Sequence, residues 1–183
     1  MENGLTEQGR MTEQEKGRAG EYLFVTVGST DFDPLVQAVD QLAPSLPTDG
    51  IMQIGHGNYE PVNMPYVRFA PSLEPYYEQA SLVIAHGGLA TTMEVLRRGT
   101  PLISLSNPDR YDDHQTDLLK AMDDEGYLVW CRQLKELAEA IERARTVALK
   151  HYEQPHCEIH KCIHAFLDRS WDGRRDTAPP FEG

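Results

Sequence analysis

Two glycines behind a histidine, His86-Gly87-Gly88, separate the short apolar run Leu82-Val83-Ile84-Ala85 from a helically patterned segment carrying Thr91, Thr92 and Glu94. Read as strand, tight turn and helix, this stretch aims free backbone N–H groups and a positive dipole end at the space above a sheet. Such a helix start takes up anions, phosphate above all. Glu94 stands six residues past Gly88, where a carboxylate can accept hydrogen bonds from sugar hydroxyls. A phosphate cradle and a hydroxyl acceptor on one helix suit a nucleoside diphosphate. On local grounds a plainer reading stands beside it: a turn that simply needs glycine and a solvated helix carboxylate.

Three further stretches carry candidate chemistry. Gly28-Ser29-Thr30 follows the apolar run Tyr22 to Val27. It can offer N–H groups and hydroxyls to a second part of a ligand, or serve only as a helix-entry turn. Asn107 to Gln115 is a polar loop after another apolar run. Its last residues, His114 and Gln115, fall in the first turn of a helix and can reach sugar hydroxyls. The bland alternative is a loop ending in an Asp N-cap, and Asp112, Asp113 and His114 fit no standard metal spacing. His156, Cys157, His160, Cys162 and His164 are zinc-ligand types without a zinc-motif spacing, and on a helix they share no single face. A structural or surface role is the expectation there, and no metal site is assigned.

The elements that must position these groups alternate. Tyr22–Val27, Ile51–Ile54, Tyr66–Phe69, Leu82–Ala85, Leu102–Leu105 and Tyr127–Trp130 read as strands. Helices are expected from Asp33 (as N-cap, with Pro34 first in the helix) and over Ser72–Gln79, Leu89–Arg98, Asp112–Asp124, Gln133–Leu149 and Glu158–Leu167. Continuous apolar strands alternating with helices imply an α/β fold, a Rossmann-like parallel sheet covered on both faces. Such sheets bind ligands at the carboxyl ends of their strands, so the turns at Gly28, Gly55 and Gly87-Gly88 and the Asn107 loop should gather on one rim. Residues 1–20 are expected to be a disordered tail, 21–167 the folded domain and 168–183 a flexible tail.

With 17 Lys and Arg against 29 Asp and Glu in 183 residues, the formal charge is −12. That argues against nucleic-acid binding, which rests on neutralising phosphates with cations, and against direct adhesion to an anionic membrane. No apolar run is long enough to span a bilayer. An odd count of three cysteines without framework spacing favours a reduced, cytoplasmic chain. No Walker loop, Gly-x-Ser-x-Gly elbow or His-Glu-x-x-His is present. Thr-Val-Gly-Ser-Thr does not complete Gly-x-Gly-x-x-Gly, so a nicotinamide cofactor fits poorly; no cofactor is expected.

In order and spacing, several motifs together resemble one family. They are Phe24-Val25-Thr26-Val27-Gly28-Ser29-Thr30-Asp31-Phe32, Gln53-Ile54-Gly55, His86-Gly87-Gly88 with Thr91 and Glu94, Pro101 with Asn107, Asp113-His114-Gln115, and Gly126-Tyr127. Over about Tyr22 to Ala165 the chain resembles the C-terminal, nucleotide-sugar-binding half of family 28 glycosyltransferases of the GT-B fold. Within that family it looks most like the small stand-alone subunits of the dolichol and bacterial exopolysaccharide pathways.

The resemblance implies that Gly28, Ser29 and Thr30 face the donor phosphates, and that His86, Gly87, Gly88 and Thr91 form the diphosphate turn. It implies that Glu94 holds the ribose, and that Asn107, His114 and Gln115 lie near the donor sugar. One departure is local: stand-alone subunits carry a smaller, glycine-containing pair where Leu89-Ala90 stand here, and the peptidoglycan-pathway members are closer at that point. The resemblance further implies half an enzyme, an inverting hexosyltransferase using a UDP-sugar, UDP-GlcNAc first. Its polyprenol-linked acceptor and its general base would come with a membrane-anchored partner subunit that recruits this chain to the membrane. That chemistry needs no metal. A non-catalytic enhancer of a partner transferase is the rival, and a stand-alone nucleotide-sugar epimerase a third reading.

Overall fold

The structure is a computed structural model that describes residues 22–107 and 114–154, together with 161, 163, 164 and 166. Contacts divide the chain into two units, Met1–Tyr152 and Glu153–Gly183. In the second unit Lys161, Ile163, His164 and Phe166 are helical. The expected tails, most of the expected helix Glu158–Leu167, and His156, Cys157, His160 and Cys162 lie outside the described residues, as do Asp112 and Asp113.

Within the first unit the strands are β1 (Tyr22–Thr26), β2 (Asp49–Gln53), β3 (Tyr66–Val67), β4 (Leu82–His86), β5 (Leu102–Leu105) and β6 (Val129–Trp130). Between them run α1 (Asp33–Leu42), α2 (Glu74–Gln79), α3 (Leu89–Arg98) and α4 (His114–Asp124), with α5 (Leu137–Thr146) after β6. Every pairing is parallel, and the order is β3-β2-β1-β4-β5-β6. This is the doubly wound arrangement, whose winding direction reverses between β1 and β4.

The period-two alternation of strand side chains splits the core in two. Leu23 and Val25 point to one face, where Leu35, Val36 and Val39 of α1 and Leu137 and Ile141 of α5 cover them. Phe24 points to the other, among Tyr76 and Tyr77 of α2, Val95 and Leu96 of α3 and Leu119 of α4. Phe24 stacks on Tyr76 at 5.1 Å and meets Tyr77 edge-on at 5.4 Å. Burying such a ring contributes about 2–3 kcal/mol.

The elements match expectation in kind and differ at their ends. Helix α3 spans Leu89–Arg98 as read, closed by Gly99 at φ 73° with Arg97 and Arg98 in its last turn, where cations suit the dipole. Asp33 is not the N-cap of α1. Phe32 takes that position and Asp33 is the first helical residue, because its Oδ2 is engaged elsewhere, accepting from the Asn58 amide at 3.0 Å. The stretch from Gln133 is a 3-10 turn (Leu134–Glu136) followed by α5, which stops at Thr146 rather than Leu149.

One buried carboxylate organises the crossing from β2 to β3. Asp40 of α1 is fully buried and accepts from Asn63 N at 2.8 Å, Val62 N at 3.0 Å and the Tyr59 hydroxyl at 2.9 Å. Burial alone would raise its pKa. The Val62 and Asn63 amides and the Tyr59 phenol outweigh that and hold the carboxyl below its ordinary value.

Candidate functional site

The reversal between β1 and β4 opens a crevice at their carboxyl ends. The turn after β1 is Gly28-Ser29-Thr30, and the turn after β4 is Gly87-Gly88 leading into α3. The two meet. A Cβ on Gly28, which sits at φ +64°, would lie 2.9 Å from Cε1 of His86. On Gly88 it would lie 2.5 Å from His86 Nε2. The imidazole at the end of β4 is thus wedged between both turns, and side chains are excluded on either side of it. From the β2 side, Gly55 closes on the carbonyls of Gly28 and Thr30, and the His56 amide donates to Thr30 O at 3.0 Å.

Helix α3 starts bare. Gly88 is its N-cap with extended backbone (φ −68°, ψ 131°), and no side chain caps it. The first bond into the helix is Thr92 N to Gly88 O at 3.0 Å. The amides of Leu89, Ala90 and Thr91 precede it, as the first N–H groups of any helix do. Leu89 and Ala90 are exposed, so this end opens on the crevice. Thr91 and Thr92 are buried, and the Thr91 hydroxyl meets the Tyr77 phenol of α2.

Glu94 lies one turn further along α3 and is exposed. Beneath it the Tyr77 phenol is buried at 2 % exposure. Burial, and then the charge of Glu94, push its pKa up to about 12, against the opposing Thr91 hydroxyl and Arg98 guanidinium. Arg98 lies 5.4 Å over the Tyr77 ring and donates to Glu94 O and to Glu74 Oε1, each at 2.8 Å. The Glu94 side chain is thus exposed on α3 beside a buried phenol, with Arg98 bonded to its backbone carbonyl rather than to its carboxylate.

Asn107, buried after β5, donates from Nδ2 to Asp31 O at 3.2 Å. That bond ties the rim of β5 to the loop after β1. Gln115 is half-buried in the first turn of α4, and Leu119 of the same helix packs against Gly87. His114 opens α4. The fold therefore brings the Gly28, His86 and Asn107 stretches to one rim, and Glu94 one turn along the helix that starts there.

Two features of the site were not read from the residue types. One is the Tyr77 and Arg98 frame around Glu94; Tyr77 and Glu94 sit on successive helices, and no sequence spacing signals their meeting. The other is the buried pair Thr26 and Gln53 beneath Gly28. Its signals were polar residues closing apolar strands and their place in the Phe24–Phe32 and Gln53-Ile54-Gly55 motifs. Asp31-Phe32-Asp33 also spells a carboxylate pair of metal-binding type. Phe32 is core at 3 % exposure and Asp33 is bonded to Asn58. Among the described residues no three His, Cys, Asp or Glu side chains gather to hold a metal. A cavity of about 270 Å³ at Leu23, Leu82 and Pro101 lies at the opposite, amino ends of the strands.

Sheet order and reversal point define a Rossmann-like, doubly wound α/β domain with its crevice at the β1/β4 switch. Residues 22–167 match the glycosyltransferase family 28 C-terminal domain, and the chain belongs to that family. It is 34% identical over 122 residues to the human UDP-N-acetylglucosamine transferase subunit ALG13, covering 60% of this chain and 11% of that protein. The chain thus spans about a tenth of that relative's length. The glycotransferase of kitacinnamycin superposes with a TM-score of 0.58 at 19% identity, over 80% of this chain and 40% of the other. An NMR solution structure of ALG13 superposes with a TM-score of 0.54 at 21% identity, over 82% of this chain and 94% of the other. At these identities the two structures speak for the fold.

Proposed function

We propose that this chain is the donor-binding subunit of a two-component UDP-sugar glycosyltransferase, with UDP-GlcNAc as donor and a polyprenol-linked sugar as acceptor. The observation that carries the reading is the meeting of the Gly28 and His86 turns over the uncapped start of α3. The diphosphate rests on the Leu89, Ala90 and Thr91 amides, Glu94 accepts from the ribose hydroxyls, and His114 and Gln115 attend the sugar. The relative ALG13, named as a UDP-N-acetylglucosamine transferase subunit, supports the choice of donor.

In the reaction the acceptor hydroxyl attacks the anomeric carbon as its bond to the diphosphate oxygen breaks. The leaving UDP takes the electron pair, and its growing charge falls on the α3 N-terminus. The acceptor proton passes to a general base on a membrane-anchored partner subunit, and attack from the face opposite the diphosphate inverts the anomeric centre. No helix among the described residues is long and apolar enough to cross a bilayer; in this reading the chain is cytoplasmic and the partner recruits it to the membrane.

Isothermal titration tests the donor site. UDP binds the wild-type chain, and Glu94→Ala abolishes the heat of binding. A chain that takes no UDP, alone or with its partner, refutes the site. Sugar transfer by the partner alone would favour an enhancer instead.

A further inference from the structure

Beneath the Gly28 turn lies a closed hydrogen-bond network that neither the donor reading nor the family match uses. Gln53, the last residue of β2, is 2 % exposed. Its Nε2 donates to Gly28 O at 2.8 Å and to Arg68 O at 2.7 Å. Its Oε1 accepts from the Thr26 hydroxyl at 2.6 Å, and that hydroxyl accepts from Gly28 N at 3.1 Å. The pattern fixes the amide's orientation, since two carbonyls can share only the NH2 end and a hydroxyl already accepting from Gly28 must donate onward. Every polar atom of both side chains is used, in a place where an unmade bond would be costly.

The consequence reaches the crevice. No peptide among the described residues is cis. In a planar trans peptide the N–H points opposite to the preceding C=O. Gln53, at the end of β2, draws the Gly28 carbonyl toward its side-chain amide, so the Ser29 N–H points away from Gln53. Ser29 is exposed, and no partner for its amide is present among the described residues. At φ +64° Gly28 lacks the Cβ that would resist this orientation. We infer that Gln53 is a positioning residue, which with Thr26 locks the Gly28–Ser29 peptide so that the Ser29 amide donates to a phosphate of the bound nucleoside diphosphate. The inference rests on the donor reading and adds to it the two buried side chains that hold the turn after β1 in the orientation its phosphate role requires.

Gln53→Glu keeps the shape but turns an acceptor on two carbonyls, which releases the peptide. The test is NMR titration of the 15N-labelled full chain with UDP and, separately, with uridine. In the wild type UDP binds more tightly than uridine, and the Ser29 amide resonance moves with UDP only. In Gln53→Glu the UDP Kd rises about tenfold or more, the loss expected for a hydrogen bond to a charged group, while the uridine Kd stays within about twofold. Thr26→Val, which removes the hydroxyl that orients the glutamine, shifts UDP in the same direction and serves if Gln53→Glu does not fold. Equal loss for both ligands, or an undiminished preference for UDP in a folded variant, overturns the inference alone. So does a wild-type Ser29 amide unmoved by UDP, with no variant needed. A wild type that binds UDP no better than uridine overturns the phosphate site and this inference with it.

Discussion

The two turns that form the crevice are built by opposite means. The Gly28 turn is netted from below: Thr26 and Gln53 hold its amide and carbonyl, Gly55 abuts its far side, and Asp40 straps the following β2–β3 crossing to α1. The His86 turn has little of this. Gly87 N bonds to Leu105 O at 2.7 Å and Gly88 N to His86 O at 2.8 Å, and an imidazole and Leu119 fit against its two glycines. One side commits the Gly28 amide and carbonyl to the protein and leaves the Ser29 amide for a ligand. The other leaves three helix amides uncommitted. A crevice that binds an anion needs both, a wall that stays in place and donors not already in use.

That contrast can be broken most severely at Gly55. Its backbone has φ +55°, and an added Cβ would meet the Thr30 carbonyl, with Gly28 O at 2.9 Å. Both are backbone atoms that cannot swing aside, so Gly55→Ala is expected to lower unfolding free energy by about 3 kcal/mol. Urea denaturation measures it.

Asp40→Asn comes next, at about 2 kcal/mol, because an NH2 would face the amides of Val62 and Asn63. The sign with pH is set by the lowered carboxyl. The stabilisation by Asp40 is full above the ordinary carboxylate pKa and is lost as pH falls through its lower folded value. Urea midpoints measured down the acid range should therefore fall more steeply in the wild type than in Asp40→Asn.

On the uncommitted side the effects on stability shrink and those on binding grow. Gly88→Ala must displace the His86 ring and places alanine at an N-cap, at a cost of about 1 kcal/mol. Its UDP affinity should drop more than that figure implies, because the ring also abuts Gly28. Glu94→Gln, on an exposed position, should change stability by less than about 0.5 kcal/mol and still weaken UDP about tenfold. A Glu94→Gln chain that binds UDP normally would remove the ribose role and leave the phosphate site standing.

Sequence alone determined the alternation of strands and helices and the bounds of α3 and β5, since these follow from local apolar patterning and from Gly99-Thr100-Pro101. It also marked the turns, because glycine after an apolar run is itself local. It misplaced the start of α1, since the Asp33 carboxylate is drawn to Asn58, 25 residues away. Tertiary structure alone decided which turns meet. Asn107 reaches Asp31 across 76 residues and Gln53 reaches Gly28 across 25, because β2 flanks β1 on one side and β4, then β5, follow on the other. The phenol under Glu94 has the same origin, as α2 and α3 pack on one face of the sheet. Residue type states which groups can bind; strand order sets what stands beside them.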